Sequence, residues 1–452
     1  MTGPFRNVPP GLSLGWRVSL QYNCTAMAYR RDRFEVTAWG IPMLYAVAAI
    51  TAGLTFPRIE THIWPGRAAG MSVSAAMAIY SSIASGMIAL TGIVFSLIFL
   101  MVTFSATAYS PRLALWVARD PVVSHALGIF TATFLYAFAA LAWVDRSGSG
   151  KVPIISAWLV IALLLASVGM LVILIQRIGL LQVGRMLIFT GDQGRKVITS
   201  TYPLTESLVV AGRPDEFRTR PRTQIVLHHG PPRTVQAVDI AALINLAESS
   251  DGVIEMIAAV GDTVLESMPL LHVFGTRQTI DESKLRQAIE LGDERTFNQD
   301  PKYAIRLLVD IAIRALSPAV NDPTTAVQAL DQIGDLLLRL GSRRLEIGDF
   351  RDSEDKIRLV IPFPAWEDFV RLALDEILFC GASSVQVMRR MNALVGDLIP
   401  VVPEERRAVL RHWQARLKTS IARSFADEHE KLNASVADRQ GLGIPQQHSA
   451  AS

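Results

Sequence analysis

The segment between Arg295 and Asp322 is rich in polar residues whose types could bind an ion, a nucleotide or another polar ligand. Arg306 and Asp310 are four residues apart, as are Asp310 and Arg314, so each pair can form along one helix face. A buried polar network at this point is the first candidate site. Its members are Arg295, Asp300, Arg306, Asp310, Arg314, Asn321 and Asp322.

The same segment also has a purely structural interpretation. Ser317 precedes Pro318 and Asp322 precedes Pro323. A capping residue followed by proline at the first helical position is a helix start, because the N–H that proline lacks has no partner there. The pattern therefore predicts a sharp corner between two helices, and the choice between corner and ligand site stays open.

A second candidate set, the second-span stripe, lies between Arg67 and Arg112, where more than forty residues carry no charge. Small and hydroxyl residues recur there at sums of three and four, which places them on one helix face. Such a face permits close helix packing in lipid. Alternatively, several subunits could turn it toward a shared axis and line a water-filled path. The stripe consists of Ser74, Ser81, Ser85, Gly92, Ser96 and Thr103.

Motifs of catalysis and metal binding were not found in the sequence. It has no glycine-rich phosphate loop, no Gly-x-Ser-x-Gly elbow and no His-Glu-x-x-His helix. His228 and His229 are adjacent on an expected strand, so their side chains point to opposite faces and cannot share one metal. Cys24 and Cys380 are the only cysteines. We expect no catalytic residue, no metal site and no cofactor, and therefore not an enzyme.

The helices that position the stripe are expected to form from four apolar runs, at 36–56, 75–102, 122–144 and 153–175. Each is long enough for a transmembrane helix, which needs roughly 20 apolar residues. The whole uncharged run between Arg67 and Arg112 is too long for one perpendicular span, since forty helical residues reach about 60 Å. We expect its helix to project past the membrane and to end or bend at Pro111.

The distribution of Lys and Arg predicts the orientation, because short loops rich in these residues stay cytoplasmic. Basic residues cluster before the first span, between the second and third, and after the fourth. We therefore expect a multi-pass protein of a bacterial inner membrane with both termini in the cytoplasm. The clustered residues are Arg17, Arg30, Arg31, Arg33, Arg112, Arg119, Arg177, Arg185, Arg195 and Lys196.

The predicted fold class is a membrane protein with four transmembrane α-helices plus a cytoplasmic α+β domain. We place a cytoplasmic N-terminal segment at 1–35, the membrane domain at 36–177, the α+β domain at 178–430 and a disordered tail at 431–452. Within the α+β domain, 222–276 is β-rich and 280–430 mainly helical.

Strand and helix signals divide the α+β domain further. Asp239 and Asp281 are expected N-caps, the second for a helix through Leu291. The remaining expectations are strands at 223–228, 234–238, 252–260 and 268–274, a strand at 356–361 pairing with 344–347, and helices at 302–316, 324–340, 365–394 and 404–425.

The segment from Gly261 to Val264, followed by Pro269-Leu270, is similar to the hairpin of barrel-sandwich folds, which include biotinyl and lipoyl carriers. Those carriers attach their cofactor to a hairpin lysine. Because no lysine lies between Lys196 and Lys284, cofactor attachment is not expected.

The run Ser317-Pro318-Ala319-Val320-Asn321-Asp322-Pro323-Thr324-Thr325-Ala326 resembles the signature of a bacterial family of predicted four-span membrane proteins, DUF2254. The segments 85–96 and 109–113 are similar to the second-span signature of that family. The resemblance covers roughly 32–426 and implies the topology but no activity.

Two functional classes follow from these residues. The first is a homo-oligomeric, channel-like membrane protein whose second span lines the path and whose cytoplasmic domain senses a stimulus. The alternative is a membrane-anchored regulatory or scaffold protein whose cytoplasmic domain binds a ligand or partner. The net charge of +3 gives no case for nucleic acid. The lipid bilayer and further copies of the chain are the expected partners, with a small ligand or ion unidentified.

Overall fold

The computed structural model describes residues 40–63, 70–108, 121–147, 152–178, 183–204, 215–440 and 443. The chain divides into two compact units, a membrane unit that ends at Met186 and an α+β unit that begins at Leu187. The N-terminal segment 1–35, the expected helix end at Pro111 and the last residues of the tail lie outside the described residues.

Four long apolar helices form the membrane unit. Their apolar stretches are 21, 29, 24 and 23 residues long, and about 20 residues suffice to cross the hydrocarbon core of a bilayer. The four predicted spans are thereby confirmed. The helices are α1 (Gly40–Ile63), α2 (Val73–Ala108), α3 (Pro121–Ser147) and α4 (Ile154–Ile178).

The centre of the membrane unit is α3, which packs against each of the other three helices. Of its apolar stretch 44% is buried, against 17% in α1, α2 and α4. Gly53 lets α1 approach α3 closely, because a Cβ at that position would lie 2.5 Å from the Cβ of Ala139. Small residues bring helix backbones together in this way in lipid, where the hydrophobic effect does not drive helix association.

The length expected of the second span is confirmed, since α2 continues for 36 residues to Ala108. A helix of that length reaches about 54 Å at 1.5 Å per residue. The hydrocarbon core is about 30 Å thick, so part of α2 must lie outside it.

Eight strands among the described residues of the α+β unit form two sheets. The five-stranded sheet has the order β1-β5-β3-β8-β7, with β3 and β8 parallel and the other pairs antiparallel. The three-stranded sheet has the order β4-β2-β6. The strands are β1 (Arg222–Leu227), β2 (Arg233–Val238), β3 (Val253–Met256), β4 (Thr263–Val264), β5 (Pro269–Phe274), β6 (Ile289–Gly292), β7 (Asp349–Arg351) and β8 (Ile357–Val360).

Both sheets contribute to one apolar core, where Ile254 and Leu271 of the larger sheet meet Val235 of the smaller one. Helices supply the rest of the unit. They are α5 (Val183–Thr201), α6 (Ile240–Ser249), α7 (Glu282–Gln287), α8 (Pro301–Ala315), α9 (Pro323–Gly341), α10 (Trp366–Gly381), α11 (Val385–Leu398), α12 (Glu404–Ser424) and α13 (Glu428–Ser435).

The expected caps are present, but the helix after Asp281 is shorter than predicted. Asp239 and Asp281 each accept a backbone N–H of the helix that follows. However, α7 ends at Gln287, and the predicted continuation to Leu291 is wrong. Residues 289–292 instead pair as β6 with β2, so partners distant in sequence decide their conformation.

The predicted pairing of 356–361 with 344–347 is also wrong, since β8 pairs with β7 and with β3. A tight turn explains the difference. The Asp352 carboxylate accepts the N–H groups of Glu354 and Lys356, and Asp355 has a φ of 63°. This turn joins β7 directly to β8.

Two further boundaries need correction. The single helix predicted at 365–394 is two helices, because Ser384 caps a new helix, α11, after α10 has ended at Gly381. The predicted disordered tail begins too early at 431, because α13 continues to Ser435 and Asp438 is buried.

The segment likened to a barrel-sandwich hairpin does not form one. Its two strands lie in different sheets, β4 beside β2 and β5 between β1 and β3. The turn between them contains Ser267 at a φ of 64° and directs the chain from one sheet to the other.

Candidate functional site

The second-span stripe lies on the exposed face of α2. All six of its residues are exposed. The opposite face is buried instead, with Ala76, Tyr80 and Ala84 in the core of the membrane unit. Within the part of the chain that the structure describes, packing therefore buries the opposite face of α2 and leaves the stripe exposed.

The exposed face of α2 is only partly polar. Ser96 Oγ donates to the carbonyl of Gly92 at 3.0 Å, and Thr103 Oγ1 donates to the carbonyl of Phe99 at 2.9 Å. Ile88 and Phe99 share the face, since each lies three or four residues from stripe members, and they are 49% and 69% exposed. Two large apolar side chains thus interrupt the stripe.

Asp300, from the first candidate set, caps α8 at a buried position. Its Oδ1 accepts the N–H of Lys302 at 3.1 Å, and its side chain is 1% exposed. Its Oδ2 has no hydrogen-bond partner among the described residues. Arg295 Nε is 3.7 Å from that oxygen and donates to the carbonyl of Gly261 at 2.8 Å. Burial raises the pKa of Asp300, while the charges of Lys302 and Arg295 oppose the shift.

Arg306 and Asp310 form the predicted pair on α8, with 2.7 Å between Nε and Oδ1. The guanidinium of Arg306 also reaches Glu376 of α10, where Nη2 and Oε2 are 2.9 Å apart. The hydrogen bonds with Glu376 and then Asp310 raise the pKa of Arg306, and the same contact lowers the pKa of Glu376. Glu376 escaped the sequence analysis because it is 70 residues from its partner.

The remaining candidates lie at the corner between α8 and α9. Asp322 accepts the N–H of Thr325 at 3.1 Å and its hydroxyl at 2.6 Å, which confirms the predicted cap. Asn321 takes the left-handed conformation with a φ of 48°. Arg314 Nε is buried and has no hydrogen-bond partner among the described residues.

The seven candidates are therefore divided among three places instead of forming one network. Asp300 precedes the first residue of α8, and Asp322 follows its end. The 15 residues of α8 span about 22 Å. Asp300 with Arg295, Arg306 with Asp310, and the corner of Arg314, Asn321 and Asp322 are best treated as separate groups.

Among the described residues, few side chains are positioned for metal binding or thiol chemistry. Among the described residues, no three His, Cys, Asp or Glu side chains could together hold a metal ion. His228 Nε2 is 2.8 Å from the carbonyl of Pro231, whereas His229 Nδ1 is 3.3 Å from Glu266. Cys380 is an exposed free thiol, and partial desolvation of its sulfur, followed by the charge of Glu376, raises its pKa.

Glu60 is a buried carboxylate that the sequence analysis did not select. It lies near the end of α1 and is 5% exposed. Its Oε1 and Oε2 accept the N–H of Ile155 at 3.0 and 3.1 Å, and Oε2 accepts the N–H of Ser156 at 3.4 Å. Both donors belong to the first turn of α4. In the sequence Glu60 lies four residues beyond the predicted first span, so its burial was not predicted.

Two tyrosines complete this group. Tyr136 of α3 donates its hydroxyl to Ser156 Oγ at 3.4 Å. Tyr80 of α2 is 2% exposed, lies within electrostatic range of Glu60 and Tyr136, and has a hydroxyl without a hydrogen-bond partner among the described residues. We call Glu60, Tyr80, Tyr136 and Ser156 the Glu60 cluster, to which each of the four spans contributes one residue.

The four apolar helices and the unit that follows them define the class, an integral membrane protein with a mixed helix-and-sheet domain. The chain matches the family model described as "Predicted membrane protein (DUF2254)" over residues 36–397 and belongs to that family. The resemblance seen in the sequence is confirmed.

Relatives in two mycobacteria cover nearly the whole chain. A protein of Mycobacterium tuberculosis (strain H37Rv) and one of Mycobacterium bovis (strain AF2122/97), both named as uncharacterised, are each 25% identical to it over 450 residues. The match covers 94% of this chain and 84% of each relative. No solved structure matches the chain.

Proposed function

We propose that this protein is a homo-oligomeric, channel-like protein of a bacterial inner membrane, in which α2 from each copy lines a shared path. The observation that supports the proposal is the exposure of the second-span stripe. A face of serines, threonine and glycine is a poor surface for lipid tails, whereas it suits a helix contact or water.

This face is exposed because packing among the described residues uses the other side of α2. Gly92 has no atom within 4 Å of where a Cβ would be, so a neighbouring helix or water has room there. Hydroxyls bonded to their own helix, as in Ser96 and Thr103, still offer acceptor oxygens to a passing polar species. No buried charge is needed for such a path.

The proposal also includes the orientation of the chain. Basic residues flank the spans on the side expected to be cytoplasmic, which would place the α+β unit inside the cell as a sensing domain. The ion pairs of Arg306 with Asp310 and Glu376 join two helices of that unit and could respond to a bound ligand.

Single-channel recording tests the proposal. Purified protein in planar bilayers should give unitary currents, and Ser85→Leu or Gly92→Leu should reduce the conductance because a large apolar side chain narrows the path. Ile79→Leu is a matched control, since Ile79 is exposed on a different face of α2 and its replacement keeps the volume.

Cross-linking provides an independent test of the channel proposal. With both natural cysteines replaced by serine, Ser85→Cys should form disulfide-linked dimers in membranes, and Ile79→Cys should form far fewer. A monomeric preparation that passes no current and does not cross-link through Ser85→Cys contradicts the channel proposal.

A specific observation favours the alternative, a membrane-anchored regulatory or scaffold protein. Ile88 and Phe99 interrupt the stripe, which suits helix packing or lipid better than a continuous water path. In that case the α+β unit would bind a ligand or partner, and binding should fall on Arg306→Ala, which removes the contact with Glu376. Normal currents with unchanged binding would exclude this alternative.

A further inference from the structure

An open, wholly apolar groove lies in the membrane unit where α1, α2 and α3 meet. Ile50 of α1 and Ile88 of α2 line it together with residues of α3 that include Phe134, Phe138 and Ala142. Its volume is about 410 Å³. All of its lining residues belong to the apolar stretches of the spans, so the groove lies at the depth of the hydrocarbon core.

Neither water nor another protein helix suits this groove. The hydrocarbon core of a bilayer holds no water. A volume of 410 Å³ corresponds to about one turn of a helix that is about 10 Å wide, which is too little for a further span. Seven residues line the groove, whereas a stable interface between proteins uses about 20–30 residues on each side. A second copy of the chain is therefore a poor occupant.

The size of the groove fits one hydrocarbon chain. A methylene group is similar in size to a water molecule, which takes about 30 Å³ in the liquid, so the groove has room for about 14 methylene groups. An acyl chain in the groove contacts three helices at once. It therefore makes more van der Waals contacts there than it would on a convex helix surface that faces lipid.

A cation lies near one end of the groove. Trp143 follows Ala142 in α3, and the guanidinium of Arg58 lies over the Trp143 ring at 5.7 Å from the centroid. Arg58 is exposed, two residues before the apolar stretch of α1 ends at Glu60. Tryptophan at the end of a span is typical of the membrane interface, where lipid phosphates lie. Arginine binds phosphate through charge-assisted hydrogen bonds, so the charge of Arg58 complements a phospholipid headgroup.

We propose that the groove is a binding site for one phospholipid, whose acyl chain lies along Phe138 and Ala142 and whose phosphate is bound by Arg58. The groove supplies the apolar contacts, and Arg58 supplies the complementary charge. The inference goes beyond the proposed path, because the binding of a lipid to one chain requires neither conduction nor assembly.

Photolabelling of the full-length protein in nanodiscs tests the proposal. The nanodiscs contain phosphatidylethanolamine, phosphatidylglycerol and a small fraction of phosphatidylglycerol with a diazirine in one acyl chain. Peptide mass spectrometry then compares the label on 134–142 of α3 with the label on 161–168 of α4, which is apolar and mostly exposed. A bound chain should label the α3 segment several-fold more strongly. Ala142→Phe should abolish this excess, because the ring fills the groove.

Two controls separate the groove from the headgroup. Ala166→Phe adds the same ring at an exposed alanine of α4 that does not line the groove, and it should keep the excess. Arg58→Gln should lower the excess for the phosphatidylglycerol probe, whereas Arg58→Lys keeps the charge and should retain most of it. A diacylglycerol probe has no phosphate, so its labelling should not change in Arg58→Gln.

Equal labelling of the two segments in the wild-type protein overturns the proposal. Weaker labelling of the α3 segment also overturns it, since that would show a protein surface in the groove. An excess that survives Ala142→Phe, or one that Arg58→Gln leaves unchanged for the phosphatidylglycerol probe, contradicts the site as well. Should Ala142→Phe fail to fold, the wild-type ratio and the Arg58 variants still decide the question.

Discussion

Asp300 and Asp322 perform the same local task in different surroundings. Both accept a backbone N–H at the start of a helix that begins with proline. Asp322 uses both oxygens on Thr325, whereas one oxygen of Asp300 is buried without a hydrogen bond. Removing the cap at Asp322 should therefore lower stability, whereas removing the charge of Asp300 should raise stability relative to wild type as the pH rises.

Replacing the half-buried cap Asp322 should destabilise the α+β unit. Asp322→Ala removes the acceptor for the Thr325 N–H, and loss of an N-cap costs about 1 kcal/mol. Thermal unfolding of the purified protein should show a lower midpoint for Asp322→Ala. Asp322→Asn is the control and should unfold close to wild type, since asparagine caps nearly as well; equal midpoints for all three proteins would refute the capping role.

The buried cap should show the opposite pH dependence from an ordinary paired carboxylate. Because burial raises the pKa of Asp300, the folded state binds its proton more tightly than the unfolded state. The contribution of this group to stability then falls as the pH rises through the interval between the unfolded pKa, about 3.9, and the raised folded value. It stays low above that interval.

Asp300→Asn tests this sign. Asparagine keeps the capping ability and carries no charge. The stability of Asp300→Asn relative to wild type should therefore improve between pH 4 and pH 7, as measured by chemical denaturation at each pH. A relative stability that worsens over this range would mean that Arg295 compensates the charge of Asp300 fully.

Residues whose partners are local could be predicted from the sequence, and those with distant partners could not. The caps at Asp239 and Asp322 follow from side-chain type and the next few residues. Glu60 finds its donors 95 residues away, and Arg306 finds Glu376 at a distance of 70. The spacing of residues along the sequence does not predict contacts between residues that are so far apart in it.

At the scale of elements, glycines in the spans differ in what surrounds them. Gly53 of α1 faces Ala139 of α3 at a distance that excludes a side chain, while Gly169 of α4 has nothing within 4 Å of a built Cβ. Alanine forms helix better than glycine by about 1 kcal/mol where space permits.

Alanine should therefore act differently at the two positions. Gly53→Ala should lower the unfolding temperature of the protein in detergent, because overpacking costs about 1–3 kcal/mol. Gly169→Ala should leave that temperature unchanged or raise it. The packing argument fails if Gly53→Ala is at least as stable as wild type.

The boundaries of helices and strands also include some that the sequence predicts and some that it does not. Long apolar runs determine the four spans, since composition and length decide burial in lipid. Short segments depend on their neighbours, as β6 shows by pairing with β2 where the local pattern favoured helix. The break before Ser384 was missed because the apolar periodicity continues from α10 into α11.

At the scale of the molecule, most of α5 belongs to the α+β unit. Leu187 and Ile198 are buried, and Gly194 lies against Leu336 of α9. Arg195 forms an ion pair with Asp335 at 2.8 Å. The domain start predicted at 178 precedes this helix, but a fragment that begins at Arg195 would cut through it.

Truncation should show the contribution of α5. A fragment that begins at Leu187 should unfold cooperatively, and one that begins at Asp215 should not, since burying each large apolar side chain contributes about 1.5–3 kcal/mol. Circular dichroism during heating measures the difference. Identical melting curves would show that α5 is dispensable for this unit.

The division into an apolar half and a mixed half was predictable because hydropathy changes abruptly along the chain. The arrangement of two sheets around one core was not, because it depends on pairings between strands up to about a hundred residues apart, as for Ile254 with Leu359.

The exposed thiol of Cys380 provides a natural reporter of sidedness. With Cys24 replaced by serine, a maleimide that cannot cross lipid should label intact cells only if α10 faces the outside. For a cytoplasmic α+β unit, the label should attach only after the cells are permeabilised. Because the pKa of Cys380 is raised, labelling will be slow at neutral pH and should be carried out in mildly alkaline buffer.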